Sequence, residues 1–276
     1  MSEVLYEKSE GIATITLNRP DQLNAWTAQM NIEFNNAMAE AEEDSEVRVI
    51  ILTGAGERGF CAGADMSLLS SIAGGEMNPL EGEGAVELRE VQLEPDVRAD
   101  FRQQYSFLMG MKKPIICAVN GAAVGLGLVE ALYCDVRFAS ETARFSTTFA
   151  QRGLIAEYGL AWLLPRMIGQ NNAMDMLLTA RMVGAEEAKR MGLVSDVYAP
   201  GELMDKVREY AGYMVQNCSP RSMQIIKKMT YNAQFETLEE SCKVAVTEMM
   251  ESLGTPDFME GVGSFLEKRL PNFPSL

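Results

Sequence analysis

The alternation of apolar and polar residues predicts an α/β protein, with strands and helices mixed through most of the chain and helices alone at its end. Residues 4–8 and 12–17 alternate around a Glu-Gly pair, which is typical of a β-hairpin. Apolar residues recur at helical spacing over 25–43, and apolar runs at 47–52 and 114–119 predict buried strands. The remaining predicted elements are the helices 84–93, 96–111 and 126–133, the strands 136–139 and 143–146, the helices 159–168, 172–180 and 185–191, the strand 193–198, and the helices 202–217, 220–233, 237–253 and 256–268.

This order of elements divides the chain near residue 200. Residues 1–200 are predicted to form a core of strand-strand-helix units, and residues 201–276 a helical region. The segment 66–111 is long, acidic and interrupted by glycine and proline, so we expect irregular structure there with some helix.

Composition and charge exclude several classes of function. The chain has 276 residues, of which 47% are hydrophobic, enough for one large domain or a domain with a helical appendage. Its formal net charge of −15 repels phosphate polymers and anionic membranes, so we expect no nucleic-acid partner. The apolar stretch 114–134 is broken by an asparagine, glycines and a glutamate, which favours strand, turn and helix over a membrane span. We also find no signal-peptide pattern at the N-terminus.

Histidine is absent from the sequence. This excludes Ser-His-Asp and Cys-His catalysis and every histidine metal site, so proton transfer falls to Asp, Glu, Lys, Tyr or Cys. The five cysteines are widely spaced, lie mostly in apolar runs and lack the spacing of zinc ligands. We therefore expect buried thiols, no bound metal and a reducing, cytoplasmic location.

Two glycine-rich turns that follow predicted buried strands carry the first candidate chemistry. The turn at 60–65 reads Phe-Cys-Ala-Gly-Ala-Asp, and the turn at 120–127 reads Asn-Gly-Ala-Ala-Val-Gly-Leu-Gly. Small residues let backbone N–H groups approach a ligand closely. Two such turns could aim two N–H donors at one oxygen, which is the requirement of an oxyanion hole.

A Gly-x-Gly-x-x-Gly match at residues 54–59 points to dinucleotide binding when it is taken alone. No apolar helix begins at its third glycine, and no second strand with a terminal acid follows about twenty residues on. We interpret these glycines as a structural turn between a strand and a loop.

Four collinear motifs resemble the crotonase superfamily of enoyl-CoA hydratases and isomerases, from about residue 4 to the C-terminus. They are ITLNRP (15–20) with LNA (23–25), VIILT (49–53) with FCAGAD (60–65), the stretch from Asn-Gly to Cys-Asp (120–135), and RGLI (152–155). The ending at 257–269 is also typical of that superfamily.

The resemblance implies a crotonase-type (ClpP/crotonase) α/β fold, a spiral of β-β-α turns with a C-terminal helical trimerisation region. It also implies a homotrimer or dimer of trimers and an acyl-CoA thioester as substrate, with no separate cofactor. The two oxyanion donors would be the backbone N–H groups of Ala64 and Leu126. By the same resemblance, the substrate- and CoA-binding positions are Asp21, Leu23, Ala25, Ala62, Asp65, Met66, Val124, Gly127, Phe149 and Lys268. Candidate phosphate partners are Arg19, Lys227, Lys228 and Lys268, although for each residue taken singly a solvated surface cation is the favoured interpretation.

The chain departs from the superfamily at the two glutamates with which the best-known hydratases hold water. Matched without gaps, those positions are Val129 and Phe149, and neither side chain moves a proton. Glu130 lies next door, but neighbours on a helix point about 100° apart, so it cannot simply substitute. Glu157 instead occupies the position where some members carry a single catalytic acid; as a residue merely at a helix N-terminus it would be favoured by the helix dipole. Apolar neighbours would raise its pKa towards neutrality.

These residues favour an enoyl-CoA isomerase of fatty acid metabolism, in which Glu157 carries a proton from C2 to C4 of the acyl chain. The alternatives are an enoyl-CoA hydratase, which is a lyase, and a non-catalytic acyl-CoA binding protein. A nucleophilic Glu157 is disfavoured because no histidine is present to act as a general base. Residues 66–111 would form either a lid or side wall near the acyl pocket or a disordered surface insertion.

Overall fold

Two β-sheets, between which the chain alternates, form the framework of the protein. A computed structural model describes residues 2–66, 70 and 90–275. The strands are β1 (Val4–Ser9), β2 (Ile12–Leu17), β3 (Val49–Gly54), β4 (Gly59–Cys61), β5 (Ile115–Val119), β6 (Ala122–Val124), β7 (Val136–Ser140), β8 (Arg144–Ser146), β9 (Val183–Gly184) and β10 (Asp196–Tyr198). The helices of the described residues are α1 (Ala28–Glu43), α2 (Phe107–Gly110), α3 (Leu126–Tyr133), α4 (Leu160–Thr179), α5 (Ala185–Met191), α6 (Leu203–Asn217), α7 (Pro220–Asn232), α8 (Leu238–Ser252) and α9 (Pro256–Glu267).

The larger sheet has the strand order β1-β2-β3-β5-β7-β10, and the smaller sheet the order β4-β6-β8-β9. In the larger sheet β1 is antiparallel to β2, and every later pair is parallel. In the smaller sheet β4, β6 and β8 are parallel, and β9 is antiparallel to β8. In three successive strand pairs, the first strand joins the larger sheet and the second joins the smaller sheet: β3 and β4, β5 and β6, and β7 and β8. Helices α3 and α4 follow the second and third pairs.

The larger sheet is buried on both faces, which explains the unbroken apolar run of β3. Ile50 and Leu52 contribute to the main core, while Val49 and Ile51 face a second cluster. Helix α6 supplies buried side chains to that second cluster. A strand covered on both faces reads as continuously apolar rather than alternating. The first of the predicted C-terminal helices therefore packs on the sheet, and the proposed division near residue 200 stays a prediction.

Most predicted elements occur within a few residues of their expected bounds. Helices α3 and α5 begin and end as predicted, and the hairpin of β1 and β2 is confirmed. Helix α1 begins at residue 28 rather than 25, because the Thr27 side chain accepts the N–H of Met30 at 2.9 Å and caps the helix. The two helices predicted at 159–168 and 172–180 are joined in α4, which is interrupted at Gly169.

Four expectations were wrong, in whole or in part, or fall outside the described residues. The helix predicted at 96–111 is instead a 3-10 turn, Ala99–Phe101, followed by the short α2. Of the helix predicted at 84–93, residues 84–89 lie outside the described residues, and residues 90–93 are not helical. Most of the predicted lid or insertion also lies outside them. The cysteines are all free, but only Cys61, Cys117 and Cys134 are buried, whereas Cys242 is exposed.

The glycine-rich match at 54–59 has a structural role, as expected. Gly54 ends β3 and Gly59 begins β4, so a strand follows where dinucleotide binding needs a helix. Among the described residues, no helix is long and apolar enough to cross a membrane. The same residues contain no group of three or more cysteine or acidic side chains placed to hold a metal ion.

Candidate active site

Ala64 lies beside Trp26 in a short parallel bridge that fixes the direction of its amide. The Trp26 N–H donates to the Gly63 carbonyl at 2.8 Å, and the Asp65 N–H donates to the Trp26 carbonyl at 2.9 Å. The neighbours of Ala64 therefore make both hydrogen bonds of the bridge, and its own N–H points away from Trp26. In the described part of the chain this N–H has no acceptor.

Leu126 is the first residue of α3, and Gly125 caps that helix with a φ of 55°. The first N–H groups of a helix have no partner within the helix and carry its positive dipole end. A Cβ atom placed on Gly63 would lie 3.8 Å from the Leu126 nitrogen and 3.0 Å from the Val124 carbonyl oxygen. The turn before Ala64 and the start of α3 are thus in contact, as the oxyanion-hole hypothesis requires.

Gly127 explains why the second turn is glycine-rich. A Cβ atom at Gly127 would lie only 2.1 Å from the Cys61 carbonyl oxygen, so α3 rests directly on the backbone of β4. Any side chain here would push the helix away from the strand and separate the two amides. In the first turn, Gly63 has a φ of 96°. Residues with a side chain rarely adopt that conformation, so this position favours glycine.

Glu157 lies in the turn before α4, and this turn is tied to α3. The Tyr133 hydroxyl, at the end of α3, donates to the Tyr158 carbonyl at 2.7 Å. Tyr158 and Gly159 both have positive φ, 49° and 77°, so the chain reverses sharply just after Glu157. The hydroxyl of Tyr133 also lies 2.7 Å from where a Gly159 Cβ would be. This contact holds the turn in one place against the helix that carries Leu126.

A series of aromatic rings connects the two halves of the site. Trp26, which pairs with Ala64, contacts Tyr105 edge to face at 6.2 Å between ring centroids. Tyr105 contacts Tyr158 in the same way at 5.0 Å. The backbone next to Glu157 is therefore linked to the Ala64 turn through three packed rings, an arrangement that no sequence pattern indicated.

Glu157 is half-buried, and among the described residues its carboxylate has no hydrogen-bond partner. Burial raises the pKa of its carboxyl above the ordinary value, as expected from the sequence. A raised pKa makes this carboxylate better suited than an ordinary glutamate to taking up and returning a proton.

The two positions matched to the hydratase glutamates, which are apolar in this sequence, are also buried. Val129 is fully buried, and Phe149 is 6% exposed. Glu130 is fully buried beside Val129, and neither of its carboxyl oxygens has a partner within the described residues. Burial raises the pKa of the Glu130 carboxyl well above its ordinary value, and nearby Cys134 raises it further.

The residues predicted to line the coenzyme A track lie in adjacent segments. The Ala62 N–H donates to the Leu23 carbonyl at 3.0 Å, and the segment 21–26 runs beside 62–65. Asp65 forms an ion pair with Arg19 at 2.8 Å. The remaining positions are distributed as follows: Asp21 and Met66 are exposed, Ala25 and Val124 are partly exposed, and Lys268 is exposed at the end of α9.

The candidate phosphate partners differ in their availability. Lys227 is buried and contacts Asp135 at 2.9 Å, so it does not face solvent. Lys228 pairs with Asp96, and Arg19 pairs with Asp65 and Glu3. Within the described residues Lys268 has no such partner. Of the four, Lys268 fits a phosphate contact best.

Comparison with known proteins agrees with this geometry. A family model described as Enoyl-CoA hydratase/isomerase matches residues 7–275. The chain is 37% identical to (E)-benzylidenesuccinyl-CoA hydratase of Thauera aromatica, over 98% of both chains. It is 31% identical to 1,2-epoxyphenylacetyl-CoA isomerase of Escherichia coli, over 99% of this chain and 98% of that protein. The crystal structure of an enoyl-CoA hydratase from Bacillus anthracis aligns over 99% of both chains, with a TM-score of 0.86 and 29% identity.

The similarity extends over nearly the whole chain and includes relatives named for both hydration and isomerisation. The two wound sheets are accordingly a crotonase fold. The chain belongs to the enoyl-CoA hydratase/isomerase family, within the crotonase superfamily.

Proposed function

We propose that this protein is an enoyl-CoA isomerase that moves a double bond from position 3 to position 2 of an acyl thioester. The observation that carries the proposal is Glu157, a half-buried carboxylate with a raised pKa, in a chain whose two hydratase positions hold the apolar Val129 and Phe149. An isomerase needs one group that removes and returns a proton, whereas the usual hydration mechanism of the family needs two carboxylates around a water molecule.

In this mechanism the N–H groups of Ala64 and Leu126 bind the thioester oxygen. Glu157 removes a proton from C2, and the negative charge passes to that oxygen as an enolate. Donors aimed at a developing oxyanion are each worth about 3 kcal/mol in the transition state. Glu157 then delivers the proton to C4, so the product has the same mass as the substrate.

Hydration is the second candidate, and Glu130 is the observation that favours it. A buried carboxyl on the same helix as Leu126 would be available to assist Glu157, although it is one residue from the usual position. The name of the Thauera aromatica relative also points to hydration. A non-catalytic acyl-CoA binding protein would keep the oxyanion turns but show no turnover.

We further propose that coenzyme A enters only as part of the substrate and lies along Asp21–Ala25 and Ala62–Met66, with Lys268 near its phosphates. Apolar side chains exposed on α8 and α9, including Met250, Phe265 and Leu266, support a homotrimer or a dimer of trimers. The five free cysteines support a cytoplasmic protein, and a role in fatty acid metabolism follows from the reaction.

The test uses 3-hexenoyl-CoA and, separately, 2-hexenoyl-CoA with purified protein, following enoyl absorbance and product mass. We expect conversion of the 3-enoyl to the 2-enoyl compound with no change in mass. Glu157→Gln should lower kcat by about 10²- to 10⁴-fold, the usual contribution of a proton-transferring group. Glu141→Gln, at an exposed glutamate, is the control and should leave kcat unchanged. If the protein instead adds water to the 2-enoyl compound, the reaction is hydration and the proposed isomerase function is wrong.

The pH profile gives an independent check. Glu157 must be ionised to take the C2 proton, so kcat/KM should rise as pH rises through its pKa. Because burial raises that pKa, the rise should occur above the range of an ordinary glutamate. A rate that is already constant at pH 5 would contradict a base with this environment.

A further inference from the structure

Glu130 is the most unusual polar group in the part of the chain that the structure describes. It is fully buried in the second turn of α3, and both of its carboxyl oxygens lack a hydrogen-bond partner there. Buried polar side chains nearly always have a partner, so one that is missing calls for an explanation. A carboxyl kept only for stability would be better replaced by an apolar residue.

The helix places Glu130 next to the proposed site. It follows Leu126 by four residues, so the two side chains lie on the same face, about 6 Å apart along the axis. Helical side chains lean towards the N-terminus, which directs the Glu130 carboxyl back towards the turn that carries the Leu126 N–H.

Three tyrosine side chains described above lie close enough to Glu130 for its charge to affect them. Burial raises the pKa of Tyr105, Tyr133 and Tyr158, and a charge on Glu130 raises the pKa of each further, so all three lie within its electrostatic reach. Tyr158 directly follows Glu157 and is partly exposed. Glu157 also raises the pKa of Tyr158, so Tyr158 lies near both glutamates.

A second buried polar atom, on a ring that packs against Tyr105, is also without a partner. The indole N–H of Trp26 is buried and has no acceptor among the described residues, and its ring packs on Tyr105. A neutral carboxyl offers one donor and acceptor capacity, and an indole N–H offers one donor. Each is a hydrogen-bonding group that a purely hydrocarbon ligand would leave unsatisfied.

We infer that Glu130 binds an oxygen atom of the acyl group, so that the substrate is an acyl-CoA carrying a hydroxyl or carbonyl beyond its reacting carbons. This inference rests on the proposed function, because it takes the thioester to lie at Ala64 and Leu126. Glu130 selects the substrate and Glu157 moves the proton. Burial raises the pKa of Glu130 well above its ordinary value, and in its neutral form the carboxyl donates a hydrogen bond to such an oxygen or accepts one from a hydroxyl without an unpaired buried charge.

Binding of saturated acyl-CoAs tests this inference without any turnover. Titration calorimetry would compare hexanoyl-CoA with its 4-, 5- and 6-hydroxy derivatives. We expect at least one hydroxy derivative to bind tenfold or more tightly than hexanoyl-CoA, because a site built to hydrogen-bond a hydroxyl rejects the analogue that lacks it. Glu130→Gln, which keeps a donor and an acceptor, should retain most of this preference, and Glu130→Leu should abolish it.

A matched control is Glu42→Gln, at a second buried glutamate whose carboxylate accepts the Lys112 N–H at 2.7 Å. This variant should keep the hydroxyl preference. Equal binding of all four ligands to the unaltered protein, or an undiminished preference in a folded Glu130→Leu variant, would overturn the inference and leave Glu130 to a bound water. Selective binding without isomerase activity would contradict only the proposed reaction. Failure to bind any acyl-CoA would overturn both.

Discussion

Two regions of the protein in which ionisable side chains are buried treat them in opposite ways. In the first region, Asp135, Lys227 and Tyr231 form a network in which each charged or polar atom has partners. Lys227 contacts Asp135 at 2.9 Å and donates to two backbone carbonyls, and the Tyr231 hydroxyl donates to Asp135 at 2.7 Å. A backbone N–H, from Ile115, completes the Asp135 carboxylate at 2.7 Å.

In the second region Glu130 and Glu157 have carboxyl groups without partners among the described residues. Both lie near the turns proposed to bind the thioester. The network of Asp135, Lys227 and Tyr231, here called the closed network, holds α7 against the strands and has no hydrogen-bonding capacity left for a ligand. The unpartnered carboxyl groups of the second region, here called the open region, cost stability but keep hydrogen-bonding capacity for a substrate. The contrast therefore separates structural from functional burial of charge.

The largest expected stability effect breaks the closed network. Lys227→Met leaves Asp135 buried without its cation, and removal of one partner of a buried ion pair typically costs about 3–5 kcal/mol. Urea unfolding, followed by circular dichroism, would measure the free energy of unfolding. A loss below about 1 kcal/mol would mean that the network is not the closed structural unit described above.

The unpartnered carboxyl of Glu130 should make the free energy of unfolding depend on pH. The folded pKa of Glu130 is raised above its unfolded value, so the folded state holds one more proton between the two values. Its contribution to stability is fully present below the unfolded pKa and is lost as pH rises, by about 1.4 kcal/mol per pH unit. Glu130→Gln removes this loss.

The stability of Glu130→Gln relative to the unaltered protein should therefore increase steadily from about pH 4.5 upwards, with the ordinary glutamate pKa as the starting point. Urea unfolding at several pH values would measure it, and Glu141→Gln is the exposed control. A relative stability that does not vary with pH would show that the pKa of Glu130 is the same in the folded and unfolded protein, which would contradict a buried carboxyl without a partner.

The two regions also differ in how far the sequence predicts them. The apolar runs of β3 and β5 and the spacing of the glycines indicated the strands, α3 and the contact between the two turns. Strands β4, β6 and β9 were missed because each has only two or three residues, and partners distant in sequence determine their pairing. The side chains of Tyr105 and Tyr158 meet only in the folded protein, so no local pattern could place Glu130 or Glu157 among them.

The smallest expected effect comes from the neighbouring lysine on the same helix. Lys228 also forms an ion pair, with Asp96, but both side chains are exposed to solvent, at 35% and 63%. Solvent screens such a pair, so Lys228→Met should change the free energy of unfolding by at most about 1 kcal/mol. Measured beside Lys227→Met, this variant holds the helix and the substitution constant and changes only the burial of the pair. If the two variants lost equal stability, burial of the ion pair would not be what distinguishes the closed network from the surface.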